Sequence, residues 1–160
     1  MVIVLMGVAG SGKTTVGLAL AESLNWQFVD ADNFHSPANV AKMQAGIPLN
    51  DSDRTPWLAS LHGTIEDWSR KNISVVLACS ALKESYRKQL LVSPAIKLVY
   101  LRGDTGLISQ RLSERHGHYM NPALLSSQFA TLEEPTDALV LDVHAPVPEI
   151  VSQIRTFLNV

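Results

Sequence analysis

Two short stretches hold the residues best suited to chemistry. The first, GVAGSGKT at residues 7–14, fits the pattern G-x-x-x-x-G-K-[ST]. Its run of Gly7, Val8, Ala9, Gly10, Ser11 and Gly12 lets the backbone curl so that successive N–H groups converge on a phosphate. Lys13 is placed to reach the β- and γ-phosphates of a nucleotide, Thr14 to help hold Mg²⁺, and Thr15 to join the nucleotide-binding residues. The second stretch, VDADNFH at residues 29–35, sets Asp30 and Asp32 on either side of one small residue. Beside a magnesium–phosphate cluster the two negative charges each have a use. One would orient magnesium-bound water, and the other would accept the proton of an acceptor hydroxyl. Without such a cluster, Asp32 reads as a loop or helix-capping aspartate.

These residues need a scaffold that brings strand ends together. Five apolar runs, at 2–6, 26–29, 73–78, 96–101 and 138–143, are rich in Val, Ile and Leu without polar alternation. Such runs suit strands covered on both faces. Between them the spacing predicts helices over 13–24, 81–91, 104–115, 122–132 and 148–158, with a short one capped by Ser36 and led by Pro37. Pro56 reads as the start of a further helix to Arg70, because Trp57, Leu61, Ile65 and Trp68 repeat at helical spacing. The tryptophans read as core. The alternation predicts an α/β fold with a parallel sheet and helices on both faces, in one domain over residues 1–160. Ligands of such sheets gather at the carboxyl ends of the strands, where the glycine loop and Asp30 both fall.

Bulk properties narrow the classes. The chain has 160 residues, a net charge of −2 and one cysteine. No basic field exists for nucleic acid or an anionic membrane, and no internal disulfide can form. The first apolar run is too short for a signal peptide or a membrane span, so the expected location is cytoplasmic. Cys79 has no evident base partner and reads as a buried thiol.

Other positions stay open on spacing alone. Arg54 lies between Asp51 and Asp53; it is either part of a solvated charge cluster or, facing a cleft, a fork for a substrate carboxylate. Lys83, after the third strand, could meet a ligand or stay solvated. RLSERHGHYM, residues 111–120, places Arg111, Arg115, His116 and His118 around Gly117. Nothing near the two histidines completes a metal site. A cationic segment over about residues 111–122, pivoting on Gly117 to close on phosphates, is the better reading.

Taken together, MGVAGSGKT, DADNFHSPANVAKMQAGIPLNDSDRTPWL, CSALKESYRKQL, YLRGD and RLSERHGHYMNPALLSSQFATLEEP resemble the gluconate kinases, small P-loop sugar-acid kinases related to shikimate kinase. The resemblance covers nearly the whole chain. It implies a nucleoside-monophosphate-kinase-like fold with five parallel strands, use of ATP and Mg²⁺, and phosphorylation of D-gluconate at the 6-hydroxyl, usually by a homodimer. It assigns Asp32 to the acceptor side and Asp30 to the magnesium side. Arg54 falls to the gluconate carboxylate, and His35, Lys83 and Gln128 to the sugar-acid site. Arg111 and Arg115 become lid residues, one over the adenine and one on the phosphates. Glycine is usual in the family where this chain has Ala31, and only Thr136 and Asp137 separate Pro135 from the last strand, a shorter link than usual. Kinases of shikimate or of a nucleoside monophosphate, and a non-catalytic sensor of ATP and a sugar acid, are the competing readings.

Overall fold

The computed structural model describes residues 1–115 and 122–160. Its centre is a five-stranded sheet, all parallel, made of β1 (Val2–Met6), β2 (Gln27–Asp30), β3 (Val75–Ala78), β4 (Ile96–Arg102) and β5 (Leu139–Asp142). The order is β2-β3-β1-β4-β5, so β1 is central and β2 an edge. Side chains alternate along β1. Ile3 and Leu5 join Val16, Leu20, Ile150 and Ile154 on one face, while Val2, Val4 and Met6 join Trp57, Leu61 and Ile65 on the other. The two apolar clusters make a three-layer α/β domain. Helices α1 (Lys13–Leu24) and α7 (Val147–Leu158) cover the first face, and α3 (Asp51–Arg70) and α4 (Glu84–Leu90) the second. Helices α2 (Pro37–Gln44), α5 (Thr105–Ser113) and α6 (Pro122–Thr131) lie between these in the chain. No helix among the described residues is long and apolar enough to cross a membrane.

Local chemistry explains where the helices begin. Ser36 accepts a hydrogen bond from the Asn39 N–H at 3.2 Å, and Asp104 one from the Leu107 N–H at 2.8 Å. The expected start of α3 at Pro56 is corrected: the helix opens five residues earlier, at Asp51. Asn50 and Asp53 form a reciprocal capping box there, with contacts of 2.7 and 3.0 Å, and Pro56 sits inside the helix. Strands β2 and β3 begin one and two residues later than expected, at Gln27 and Val75.

Gly17 faces inward from α1. A Cβ there would stand 2.4 Å from Phe28 Cε2 and 3.3 Å from Leu5 Cδ1. Alanine recovers about 1 kcal/mol of helix propensity, but overpacking of this kind costs about 1–3 kcal/mol. Gly17→Ala is therefore expected to destabilise the fold by on the order of 1 kcal/mol net, read as a lower urea midpoint. An unchanged or higher midpoint would show that Phe28, on the edge strand, swings aside freely.

Candidate active site

The loop between β1 and α1 needs its glycines for two distinct reasons. At Gly7 a Cβ would press to 2.8 Å from the Leu101 carbonyl oxygen, and Gly12 adopts φ 93°, a left-handed conformation. Gly12 is also the N-cap of α1, where no side chain caps the helix and no acidic residue occupies the first turn. The first N–H groups of α1 therefore have no intrahelical partner and, among the described residues, no side-chain cap, and they lie at the positive end of the dipole. That donor set suits a phosphate. The Lys13 ammonium donates to the Gly7 and Val8 carbonyls, both at 2.9 Å, which leaves one of its three N–H groups for a phosphate oxygen. Burial lowers the proton affinity of Lys13, while Asp32 and Asp30 raise it.

Lys13, Thr14, Asp30, Asp32, His35, Arg54, Arg115 and Gln128 all line one cleft of about 400 Å³. Asp30 ends β2 and accepts a 2.9 Å hydrogen bond from the Asp32 N–H, turning the chain into a single 3₁₀ turn, Ala31–Phe34. Ala31 is fully buried and its φ is not positive, so alanine fits where the family usually has glycine. The carboxyl of Asp32 is held above the usual aspartate range, first by surrounding protein, then by Asp30, with Lys13 opposing. Yet 65% of its side chain is exposed, so solvent screens part of both effects.

Arg54 reaches the cleft because its neighbours in sequence are engaged elsewhere. Lys42 pairs with Asp53 at 2.9 Å, and Lys83 with Asp51 at 2.9 Å. Arg54 itself donates to the Tyr86 hydroxyl at 3.2 Å, its guanidinium 5.5 Å from the ring centroid, and Tyr86 donates in turn to Asp51. The structure thus gathers Arg54 with the glycine loop and the carboxylate pair. It sets Lys83 behind Tyr86, apart from the residues lining the cleft. Gln128, on α6, accepts from the Ala9 N–H at 2.7 Å and so joins the far end of the chain to the glycine loop.

A second cavity of about 360 Å³ lies on the other side of the loop, lined by Gly12, Thr15, Val16, Arg111, Arg115, Val143, Ala145 and Ile150. Its apolar walls with a guanidinium at the rim suit a planar base. Arg111 donates to the Val143 carbonyl at this cavity, whereas Arg115 borders both cavities. His116, Gly117 and His118 lie outside the described residues. Cys79 is buried and its thiol is pushed up to about 12, chiefly by desolvation, which rules out a ready nucleophile.

Three contributors escape a reading by spacing. Tyr86 meets Arg54 across 32 positions of chain, and Asn39 meets Asp53 across 14. Trp57 is core as expected, but it also lines the cleft, with His35 stacked on it at 4.5 Å between centroids. A tryptophan on a helical stripe carries no signal for that second role.

The fold and its glycine loop, with cation and carboxylates converging at the strand ends, define a P-loop small-molecule kinase. A family model described as AAA domain matches residues 2–135. The chain is 44% identical to a probable gluconokinase of Xenopus tropicalis, over 97% of this chain and 92% of that protein. It superposes on a gluconokinase from Sinorhizobium meliloti 1021 with a TM-score of 0.84 and 42% identity, over 94% of this chain and 87% of that one. For an unliganded sugar kinase from Janibacter sp. HTCC2649 the TM-score is 0.91 and the identity 42%, over 99% and 94% of the two chains. The chain belongs to the gluconokinase family.

Proposed function

We propose that this chain transfers the γ-phosphoryl group of ATP to the 6-hydroxyl of D-gluconate, giving 6-phospho-D-gluconate and ADP. One observation carries the reading: a single cleft holds a phosphate loop, a carboxylate able to take a hydroxyl proton, and a guanidinium suited to a carboxylate. The names of the relatives supply the acceptor that joins those chemistries. On this reading Arg54 binds the gluconate carboxylate, with His35 and Gln128 at or near the sugar acid, and Asp32 draws the proton from the terminal hydroxyl. That oxygen bonds to the γ-phosphorus as the bond to the bridging oxygen breaks, and ADP departs with the released charge. Lys13 and Arg115 stabilise the charge on the transferring group.

Thr14 and, through water, Asp30 would hold Mg²⁺, which neutralises phosphate charge when bound. Among the described residues no group of three or more His, Cys, Asp or Glu side chains forms a metal site by itself. Few protein ligands are what a magnesium carried mainly by phosphate and water requires. The proposal includes a lid over about residues 111–122, with Arg111 toward the adenine, a homodimer as the family resemblance implies, and a cytoplasmic setting in keeping with the single cysteine.

Coupled ADP release with MgATP and D-gluconate, set beside shikimate, other aldonates and no acceptor, tests the reading. Turnover confined to gluconate or its close aldonate relatives is expected. Turnover only with shikimate, or tight binding of ATP and gluconate with no transfer, would overturn it.

A further inference from the structure

A run of contacts on the cleft wall ends at Asp32 and has a direction that can be deduced. Asn39 on α2 is only 6% exposed. Its Nδ2 donates to the Asp53 backbone carbonyl at 2.8 Å, and since a carbonyl only accepts, the orientation of the Asn39 amide is settled. The same Nδ2 lies 3.3 Å from His35 Nδ1. A second N–H directed at a ring nitrogen requires a lone pair there, so Nδ1 is bare and the imidazole proton sits on Nε2.

The ring has little freedom to exchange those roles. His35 is 4% exposed at its side chain and lies nearly parallel to Trp57, at 12°. Trp57 is fixed in turn by its Nε1–H, which donates to the Ala31 carbonyl at 2.7 Å. Burial, and then the charge of Arg54, hold the imidazole below the usual histidine pKa, so it is neutral at neutral pH. Asp32 and Arg54 are the charged groups facing it; Asp53 turns its carboxylate to Lys42. His35 Nε2 stands 3.8 Å from Asp32 Oδ1, close enough for electrostatic orientation and one small closure short of a hydrogen bond.

We infer that Asn39 and His35 form a positioning relay: Asn39 holds His35 as its Nε2–H tautomer, and His35 presents that N–H to Asp32, aiming the carboxylate at the acceptor hydroxyl. The inference rests on Asp32 being the proton acceptor, as proposed above. It gives His35 a role toward the protein's own carboxylate and makes Asn39 a functional residue rather than a buried strut.

Two-bond ¹H–¹⁵N correlation spectra of the full-length, uniformly ¹⁵N-labelled enzyme read the tautomer without any turnover, with His35→Gln supplying the assignment. The expected spectrum at neutral pH has the proton on Nε2 in the wild type and a mixture of tautomers in Asn39→Leu. In steady state, His35→Phe keeps the stack but removes the N–H. It is expected to lose up to about 10²-fold in kcat, the scale of a misplaced catalytic group, with little change in KM for gluconate. His35→Gln restores a donor and should recover much of the loss. A wild-type proton on Nδ1 would overturn the relay, as would a His35→Phe enzyme with raised KM and normal kcat, since that would mark a direct substrate ligand. If wild-type enzyme fails to phosphorylate gluconate, the reading of the acceptor falls. The spectrum still decides the tautomer, and the kcat comparison passes to whichever acceptor is turned over.

Discussion

Replacing Arg115 by alanine is expected to lower kcat by roughly 10³–10⁵-fold, the range for an arginine placed on a transferring phosphoryl group. Arg115 borders both the first cleft and the second cavity, and Gly10 of the glycine loop lines both as well. It is also near enough to Lys13 to lower that ammonium's proton affinity, which places both cations in one field. Arg115→Lys should recover only part of the loss, because an ammonium keeps the charge but not the planar fork. Arg111→Ala provides the contrast. Its guanidinium is tied to the Val143 carbonyl at the second cavity, so its loss should raise KM for ATP more than it lowers kcat. Steady-state ADP release at varied ATP separates the two. Equal effects on kcat from both variants would remove the division of labour.

Asp32→Asn is expected to cost roughly 10²–10⁴-fold in kcat, the usual contribution of a positioned general base. Two further readouts distinguish chemistry from structure. Asp32 titrates above the ordinary aspartate range, so the active, ionised form should be lost as pH falls while ordinary aspartates are still charged. Asp30→Asn removes the like charge and should move that acid limb to lower pH. For stability the sign is opposite to that of a salt-bridged aspartate. A carboxyl whose folded pKa is raised favours folding at acid pH and loses that advantage as pH rises through its folded pKa. At neutral pH the ionised Asp32 is therefore a burden, and Asp32→Asn should melt no lower than wild type while turning over far more slowly. A variant that stays folded with full turnover would end the base assignment.

The parts of the fold best read from the sequence are those in which local pattern and long-range role agree. Strand β1, the glycine loop and α1 fall where the motif places them, because the loop that binds an anion is also the turn that joins strand to helix. Helix α3 shows the opposite case. Pro56 carries the familiar mark of a helix start, but the true start is the Asn50–Asp53 box, whose short side chains are a fainter signal than Ser with Glu. Arg54 was ambiguous for a physical reason: whether it is solvated or free for a ligand depends on the partners of Asp51 and Asp53. Those partners, Lys83 and Lys42, arrive from 32 and 11 positions away. Lys83 was open for the same reason: its side chain pairs with Asp51 and is not among the residues that line the cleft.

The order of the strands also divides the kinase into two mechanically unequal halves. The glycine loop springs from β1, which is hydrogen-bonded to a neighbour on each side, whereas Asp30 ends β2, which has one neighbour. On the proposed reading, the donor end of the reaction is thus anchored at the centre of the sheet, and the acceptor side, from Asp32 onward, follows its margin. Substitutions from Asp32 through α3, beyond the Asp30 that would hold Mg²⁺, are therefore expected to reshape what is phosphorylated more than how the phosphoryl group is held. A lineage could explore new acceptors at that edge while its energy source stayed constant at the centre.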